Sequence, residues 1–215
     1  ALRDFPYFVK PACEGNSRGV DLGSVVRGPG ELLSRARLIA EQFGEALVEA
    51  YVGGPDSREF TVAMIGNGPR SIVSGVELAL GGPLSRAISE ADKDGHRTRV
   101  SPITDPRLKA RVEGLARRAF ASAGARDYSR CDIILQGDRL WAIEVNGQPM
   151  VPDRWFEACA AGAGLGNSQY LQAIALAAMA RAADSGLAFI PITRELRGAL
   201  PPPALALLLE SKEHA

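Results

Sequence analysis

The stretch that most constrains this chain is Tyr128–Pro149, YSRCDIILQGDRLWAIEVNGQP. Two apolar runs, Cys131–Leu135 and Leu140–Val145, flank the polar turn Gln136–Arg139, which is the pattern of a β-hairpin. Side chains alternate faces along a strand. Pairing Gln136 with Leu140 therefore sets Asp132 opposite Glu144 and Arg130 opposite Asn146. One face then carries Cys131, Ile133, Leu135, Trp141, Ile143 and Val145 and is expected to be core. The other carries Arg130, Asp132, Glu144 and Asn146. Directly opposed residues lie roughly 5 Å apart at Cβ, and like charges placed there repel. Two carboxylates beside an amide oxygen suit a shared hard cation, Mg²⁺ or Mn²⁺, above all where phosphates complete the shell. The alternative is a solvated hairpin face whose charges coincide.

Composition narrows the function classes. The 25 basic and 25 acidic residues cancel, so no basic surplus points to nucleic acid or an anionic membrane. Cys13, Cys131 and Cys159 lack CxxC spacing, which disfavours a disulfide framework or a zinc site and fits a reducing cytoplasm. With His96 and His214 as the only histidines, imidazole catalysis has little to draw on. No apolar run is long enough to span a bilayer. The chain begins at Ala1 without Met and reaches an expected strand almost at once, so the expectation is a fragment of a longer polypeptide, which the missing Met favours, or a naturally truncated relative.

Phe5–Lys10 reads as a short aromatic strand that delivers a lysine to a loop containing Glu14, Gly15, Ser17 and Gly19. Small residues there let backbone N–H groups approach an anion, although an ordinary glycine turn beside a solvated lysine has the same pattern. Pro29–Phe43 is an amphipathic helix with Pro at its start and Gly44 at its stop. Leu47–Val52 reads as a strand, and Glu59–Gly66 with Ser71–Leu78 as a second hairpin. Glu49 and Glu59 sit in apolar company, as surface charges or as polar anchors of a pocket. Ser89–Arg99 is a polar loop or lid with Lys93 in it. Helices are expected over Pro106–Ala123, Trp155–Ala161, Ser168–Ala183 and Ala204–Glu210. Helices and hairpins together give a mixed α and β (α+β) class.

In this order the motifs resemble the ATP-grasp superfamily, and most closely the C-terminal part of D-alanine–D-alanine ligases. Phe8-Val9-Lys10-Pro11 with Glu14-Gly15 and Ser17 resembles that family's lysine strand and phosphate loop. Val48-Glu49-Ala50-Tyr51-Val52 resembles its adenine-contacting hinge, and Arg58-Glu59-Phe60-Thr61-Val62 its ribose-binding strand. Tyr128–Asp132 with Glu144-Val145-Asn146 and Pro149 resembles its arginine and metal-ligand hairpin. The resemblance spans Phe5 to Ala183. It implies the C-terminal portion of an ATP-grasp fold with the family's N-terminal domain absent. The domain is expected over 1–185, with lobes of about 1–100 and 101–185, followed by an extension over 186–215.

The resemblance implies that Lys10, Glu14 and Ser17 serve the ATP phosphates, that Glu49, Tyr51 and Val52 read adenine, and that Glu59 holds the ribose. It implies that Asp132, Glu144 and Asn146 hold two Mg²⁺ (or Mn²⁺) ions. Arg130 would stabilise a tetrahedral intermediate, and Lys93 would reach the γ-phosphate. The implied activity is an ATP-dependent carboxylate–amine ligase working through an acyl phosphate, D-alanine–D-alanine ligase-like and serving peptidoglycan precursors. Its expected partners are small amino-acid substrates, with no nucleic acid and no membrane; the expected location is the cytoplasm, and a homodimer is allowed. The departures from the family pattern, Asn16, Asp94, Gly147-Gln148 and Trp155-Phe156, all fall at expected amino-acid pockets. They leave open a different amino acid, such as a bulkier acceptor near Trp155 and Phe156 in natural-product biosynthesis. They also leave open a non-catalytic nucleotide-binding remnant.

Overall fold

The computed structural model describes residues 4–15, 17–54, 56–80, 98–187 and 194–207. The chain divides into two compact units, one of Ala1–Arg58, Ala79–Arg99 and Leu135–Arg139, the other of Glu59–Leu78, Val100–Ile134 and Leu140–Ala215. Lys93, Asp94, the rest of 89–97 and Asn16 lie outside the described residues, as does the end of the expected Ala204–Glu210 helix.

In the first unit, β1 (Tyr7–Pro11) pairs antiparallel with β2 (Val25–Val26) on one side and β3 (Ala46–Ala50) on the other. The strand obeys the two-residue period: Tyr7, Val9 and Pro11 are buried, while Phe8 and Lys10 are only half-buried. Helix α1 spans Pro29–Phe43, as the sequence predicts, and Gly44 ends it at φ +87 with its N–H on the Ala40 carbonyl at 2.9 Å. Glycine takes that left-handed backbone without a Cβ penalty. Ile39 from α1 closes on Tyr7, Val9 and Val26, with Leu32, Ala36 and Phe43 around them. Each fully buried aliphatic side chain there contributes about 1.5–3 kcal/mol, so this cluster fixes the small sheet to its helix.

The second unit is built on a five-stranded sheet of order β6-β5-β4-β7-β8. Its strands are β4 (Arg58–Ile65), β5 (Ile72–Leu80), β6 (Thr98–Pro102), β7 (Tyr128–Gln136) and β8 (Arg139–Asn146). β4 and β5 form the predicted hairpin, in register from Glu59 opposite Leu78 to Ile65 opposite Ile72. β4 occupies the middle of the sheet and is buried continuously from Phe60 to Ile65. Helix α2 (Pro106–Ser122) buries Leu108, Val112, Ala116 and Phe120, four residues apart and hence on one face, and the Asp105 carboxylate caps it. Helices α3 (Arg154–Gly162) and α4 (Asn167–Asp184) follow, then the short α5 (Arg194–Ala199) and α6 (Pro202–Ala206). Phe156 lies wholly buried against the rings of Tyr128 and Tyr170.

One polar latch ties this unit together. Asp127 sits at φ +64 just before β7, and its carboxylate receives Arg181 of α4 through two bonds of 2.8 and 2.7 Å. Asn67, in the turn between β4 and β5, donates to the same carboxylate at 3.0 Å and accepts the Asp127 N–H at 3.0 Å. Among the described residues, no helix is long and apolar enough to cross a membrane.

The hairpin that dominates the sequence forms, with two corrections. It closes through Gly137 and Asp138 alone, with Gly137 at φ +58, and β8 starts at Arg139. The pairing of Gln136 with Leu140, and with it the direct opposition of Asp132 and Glu144, does not follow from so short a turn. The expected core face is also only half realised. Cys131 and Ile133 are fully buried, but Trp141 and Ile143 are 36% and 37% exposed, because β8 lies at the edge of the sheet.

Candidate functional site

In the first unit the open face of the small sheet carries the residues expected to meet a nucleotide. Phe8 stands opposite Glu49 in the register, so Phe8, Lys10 and Glu49 share one face. The Lys10 Nζ lies 2.9 Å from a Glu49 carboxylate oxygen. Both are partly exposed, so the pair adds at most about 1 kcal/mol of stability and is easily exchanged for another partner. The Tyr51 ring stacks on Phe8 at 6.3 Å between centroids, and its N–H bonds the Pro6 carbonyl at 3.1 Å. Val52 follows, half-buried. A cation, a carboxylate and a flat aromatic pair are thus placed side by side.

The loop after β1 is braced. Ser17 lies at φ +58, and turns close from Arg18 N to Gly15 O at 3.1 Å and from Val20 N to Ser17 O at 3.0 Å. Glu14 pairs with Arg18 at 3.2 Å, so its carboxylate is engaged within the loop. At Gly19, φ +75, a Cβ would sit 2.7 Å from Pro11 and 2.9 Å from Phe43, so only glycine lets the loop approach that closely. Arg35 of α1 holds the far side, bonding Gly19 O at 2.8 Å, Ser24 Oγ at 3.1 Å and Asp21 at 3.1 Å.

In the second unit, Glu59, the second residue of β4, is half-buried, and Thr61, two residues on, shares its face. The buried Thr61 hydroxyl donates to Asp132 Oδ1 at 2.7 Å. Arg130 donates through one terminal nitrogen to Asp153 Oδ2 at 3.1 Å, and its Nε lies 3.4 Å from Asp132 Oδ1. Beneath the guanidinium is the Trp155 ring, 5.2 Å away. Asn146 ends β8; its backbone carbonyl accepts from Ser129 at 2.8 Å, and its side-chain oxygen accepts from Gln148 N at 3.0 Å. Glu144 is exposed.

Both carboxylates act on one buried point. The Cys131 thiol is pushed up to about 12, first by burial and then by the charges of Asp132 and Glu144. The residues expected to hold a cation are all oxygen donors. Asp132 Oδ1 carries the Thr61 and Arg130 contacts, while Oδ2 receives no hydrogen bond among the described residues. The Asn146 amide oxygen keeps a second lone pair. Among the described residues no group of three or more His, Cys, Asp or Glu side chains encloses a metal. Two carboxylates and an amide suit Mg²⁺ that takes its remaining ligands from water and phosphate.

Sequence reasoning missed Thr61, Asp153 and Arg35. Thr61 could have been found from its parity with Glu59. Asp153 carried the signal of a helix cap, an acid just before α3, without revealing that it also binds Arg130. Nothing local marks Arg35. Trp155 and Phe156, expected to line an acceptor pocket, are 5% and 0% exposed; Phe156 belongs to the core, and Trp155 serves as the floor under Arg130.

The fold is that of the C-terminal portion of the ATP-grasp enzymes. It superposes on D-alanine–D-alanine ligase from Bacillus anthracis complexed with ATP with a TM-score of 0.65 and 22% identity, over 85% of this chain and 55% of that one. The VanG D-Ala:D-Ser ligase from Enterococcus faecalis gives a TM-score of 0.65 and 22% identity, over 80% and 49%. Residues 2–175 match the model of the D-ala D-ala ligase C-terminus family, and the chain belongs to that family. A D-alanine–D-alanine ligase from Halorhodospira halophila is 33% identical over 168 residues, 75% of this chain and 51% of the relative. D-alanine–D-alanine ligase B of Pseudomonas syringae pv. tomato is 31% identical over 174 residues, 79% and 51%. The chain spans about half the length of the curated relatives it matches.

Proposed function

We propose that the protein containing this chain is an ATP-dependent carboxylate–amine ligase of the D-alanine–D-alanine ligase type, making a dipeptide for peptidoglycan precursors in the cytoplasm. The observation that carries this is the β7–β8 donor set. Asp132 is held by Thr61 with one oxygen receiving no hydrogen bond among the described residues, Arg130 lies beside it, and Glu144 and Asn146 follow on β8 in a chain most of whose length matches that family.

The chemistry needs positioning and charge neutralisation more than a protein nucleophile. A substrate carboxylate oxygen attacks the γ-phosphorus of ATP and ADP leaves, giving an acyl phosphate. An amine then attacks the acyl carbon, and phosphate leaves with the oxygen that the carboxylate supplied. Lys10 exchanges its Glu49 contact for the nucleotide phosphates, the Ser17 loop and Glu14 border them, and Lys93 adds a cation at the γ-phosphate. Glu49 and the Tyr51–Val52 backbone read adenine, and Glu59 holds the ribose. Asp132, Glu144 and Asn146 would hold Mg²⁺, which when bound would supply neutralisation of phosphoryl charge. Arg130 neutralises the oxyanion formed as the amine adds.

A second amino-acid specificity is favoured by Gly147-Gln148, which follow Asn146 where the family pattern changes, and by the Arg130–Trp155 stack. The test is phosphate release by the full-length protein with Mg·ATP and single amino acids. Stimulation by D-alanine supports the dipeptide ligase. Stimulation only by D-serine or other amino acids moves the assignment to the second specificity. Nucleotide binding without turnover, under any amino acid, refutes both.

A further inference from the structure

Arg130 is poised between two carboxylates, and they do not hold it equally. Its side chain is 11% exposed, so its five N–H donors must find protein acceptors. One terminal nitrogen makes a hydrogen bond to Asp153 Oδ2 at 3.1 Å. The Nε, although 3.4 Å from Asp132 Oδ1, is buried without a hydrogen-bond partner. The Asp132 oxygen it faces is already taken by the Thr61 hydroxyl at the shorter distance of 2.7 Å. Asp132 therefore offers Arg130 charge without a bond, and Asp153 offers both.

Asp153 is itself fixed. It is the N-cap of α3, with extended backbone at φ −142 and ψ 133, and the oxygen that receives Arg130 also accepts the Phe156 N–H at 3.4 Å. Its own carbonyl accepts from Glu157 N at 2.8 Å. Two residues from the cap, the 5%-exposed Trp155 supplies the aromatic face on which the planar guanidinium rests. One short segment, Asp153–Trp155, thus sets both the in-plane anchor and the floor for Arg130.

We propose that Asp153 is the positioning residue for Arg130, holding the guanidinium in place while Asp132 turns its charge to a metal ion. This rests on the ligase reading of the same site. A dication beside Asp132 cancels the attraction of that carboxylate for Arg130 and repels the guanidinium. Only a second carboxylate outside the metal's donor set then keeps the arginine where the oxyanion develops. Without it, Arg130 turns onto Asp132 in the free protein and competes with the metal for that carboxylate.

The test is Asp153→Asn in the full-length protein. Asparagine caps a helix as well as aspartate does, so α3 keeps its start and the fold is retained, while the carboxylate facing the Arg130 guanidinium is lost and the thermal midpoint falls by less than for loss of cap and charge together. Mn²⁺ affinity, read by electron paramagnetic resonance with a non-hydrolysable ATP analogue, is expected to weaken about tenfold, and kcat to fall about 10- to 100-fold, as for removal of an outer-shell partner. KM for ATP stays as in the wild type. Asp153→Ala, which loses cap and charge together, should repeat the loss of Mn²⁺ affinity with a lowered thermal midpoint. An active wild type with Asp153→Asn unchanged in Mn²⁺ affinity and kcat overturns this inference alone. A wild type that neither binds Mn·nucleotide nor turns over overturns the ligase reading, and the inference with it.

Discussion

Replacing Thr61 by Val removes one atom pair that the site depends on. The two side chains have the same shape, so a residue that is 0% exposed leaves no cavity; what goes is the 2.7 Å bond to Asp132 Oδ1. A hydrogen bond to a charged group is worth about 1.5–3 kcal/mol when its partner is buried. Asp132 keeps 19% of its side chain in contact with solvent, so water compensates in part and the lower end applies, about 1.5 kcal/mol. That is roughly a tenfold change in the folding equilibrium and about 3–6 °C in thermal midpoint for a chain of this size. The freed oxygen then draws the Arg130 Nε into a bond, which occupies the carboxylate proposed to hold the metal, so Mn²⁺ binding should weaken too. Thr61→Ser is the control, because it keeps the hydroxyl and loses only a methyl. Urea unfolding monitored by fluorescence reads the stability, and a Mn²⁺ titration reads the site. If Val and Ser behave alike in the Mn²⁺ titration, or if Val is as stable as the wild type, Thr61 does not support Asp132.

Three further outcomes follow from the same structure. Arg181 binds the Asp127 carboxylate at both oxygens and holds it below its ordinary value of 3.8. A lowered carboxylate contributes stability above its unfolded pKa and loses it as pH falls through the folded one. Asp127→Asn, which tolerates the positive φ, should therefore lower the thermal midpoint at pH 7, with the gap to wild type closing below about pH 4; a constant gap down to pH 2 contradicts the ion-pair assignment. Arg35→Lys loses the fork that bonds Gly19, Ser24 and Asp21. Amide exchange over 17–24 should quicken about tenfold, in keeping with one or two lost hydrogen bonds, and KM for ATP should rise with kcat unchanged; exchange as slow as wild type removes Arg35 from the loop's support. Cys13 is exposed, whereas Cys131 and Cys159 are buried with thiols pushed up to about 12, each first by burial. A thiol reagent should label Cys13 alone in the native protein at pH 8, and three labelled cysteines would contradict the buried hairpin face.

Much of this fold could be read locally. Helix α1 announces itself by its proline start, its apolar stripe and the glycine that ends it, and β4 with β5 by two apolar runs around Asn67-Gly68-Pro69. β2 could not be read, since two residues carry no period; its place is set by pairing with β1 across a long connection. The exposure of Trp141 and Ile143 was hidden for a related reason. Alternation tells which residues share a face but not that β8 is the last strand of the sheet, so nothing in the sequence says how fully that face is covered. Around the residues expected to form the site, the supports came from elsewhere in the chain. Thr61 lies 71 positions from Asp132, and Asp153 lies 23 from Arg130. Such contacts depend on tertiary packing, which no spacing rule encodes.

In the proposed reaction a substrate carboxylate is activated by phosphoryl transfer before an amine takes its place. Turnover of the full-length protein with Mg·ATP and an amino acid labelled with ¹⁸O in its carboxylate tests this directly. An acyl phosphate requires one labelled oxygen to appear in each inorganic phosphate released, together with one ADP and one amide bond. Phosphate free of label, with ADP formed at the same rate, would mean that water attacks the nucleotide and that this chain serves no ligase.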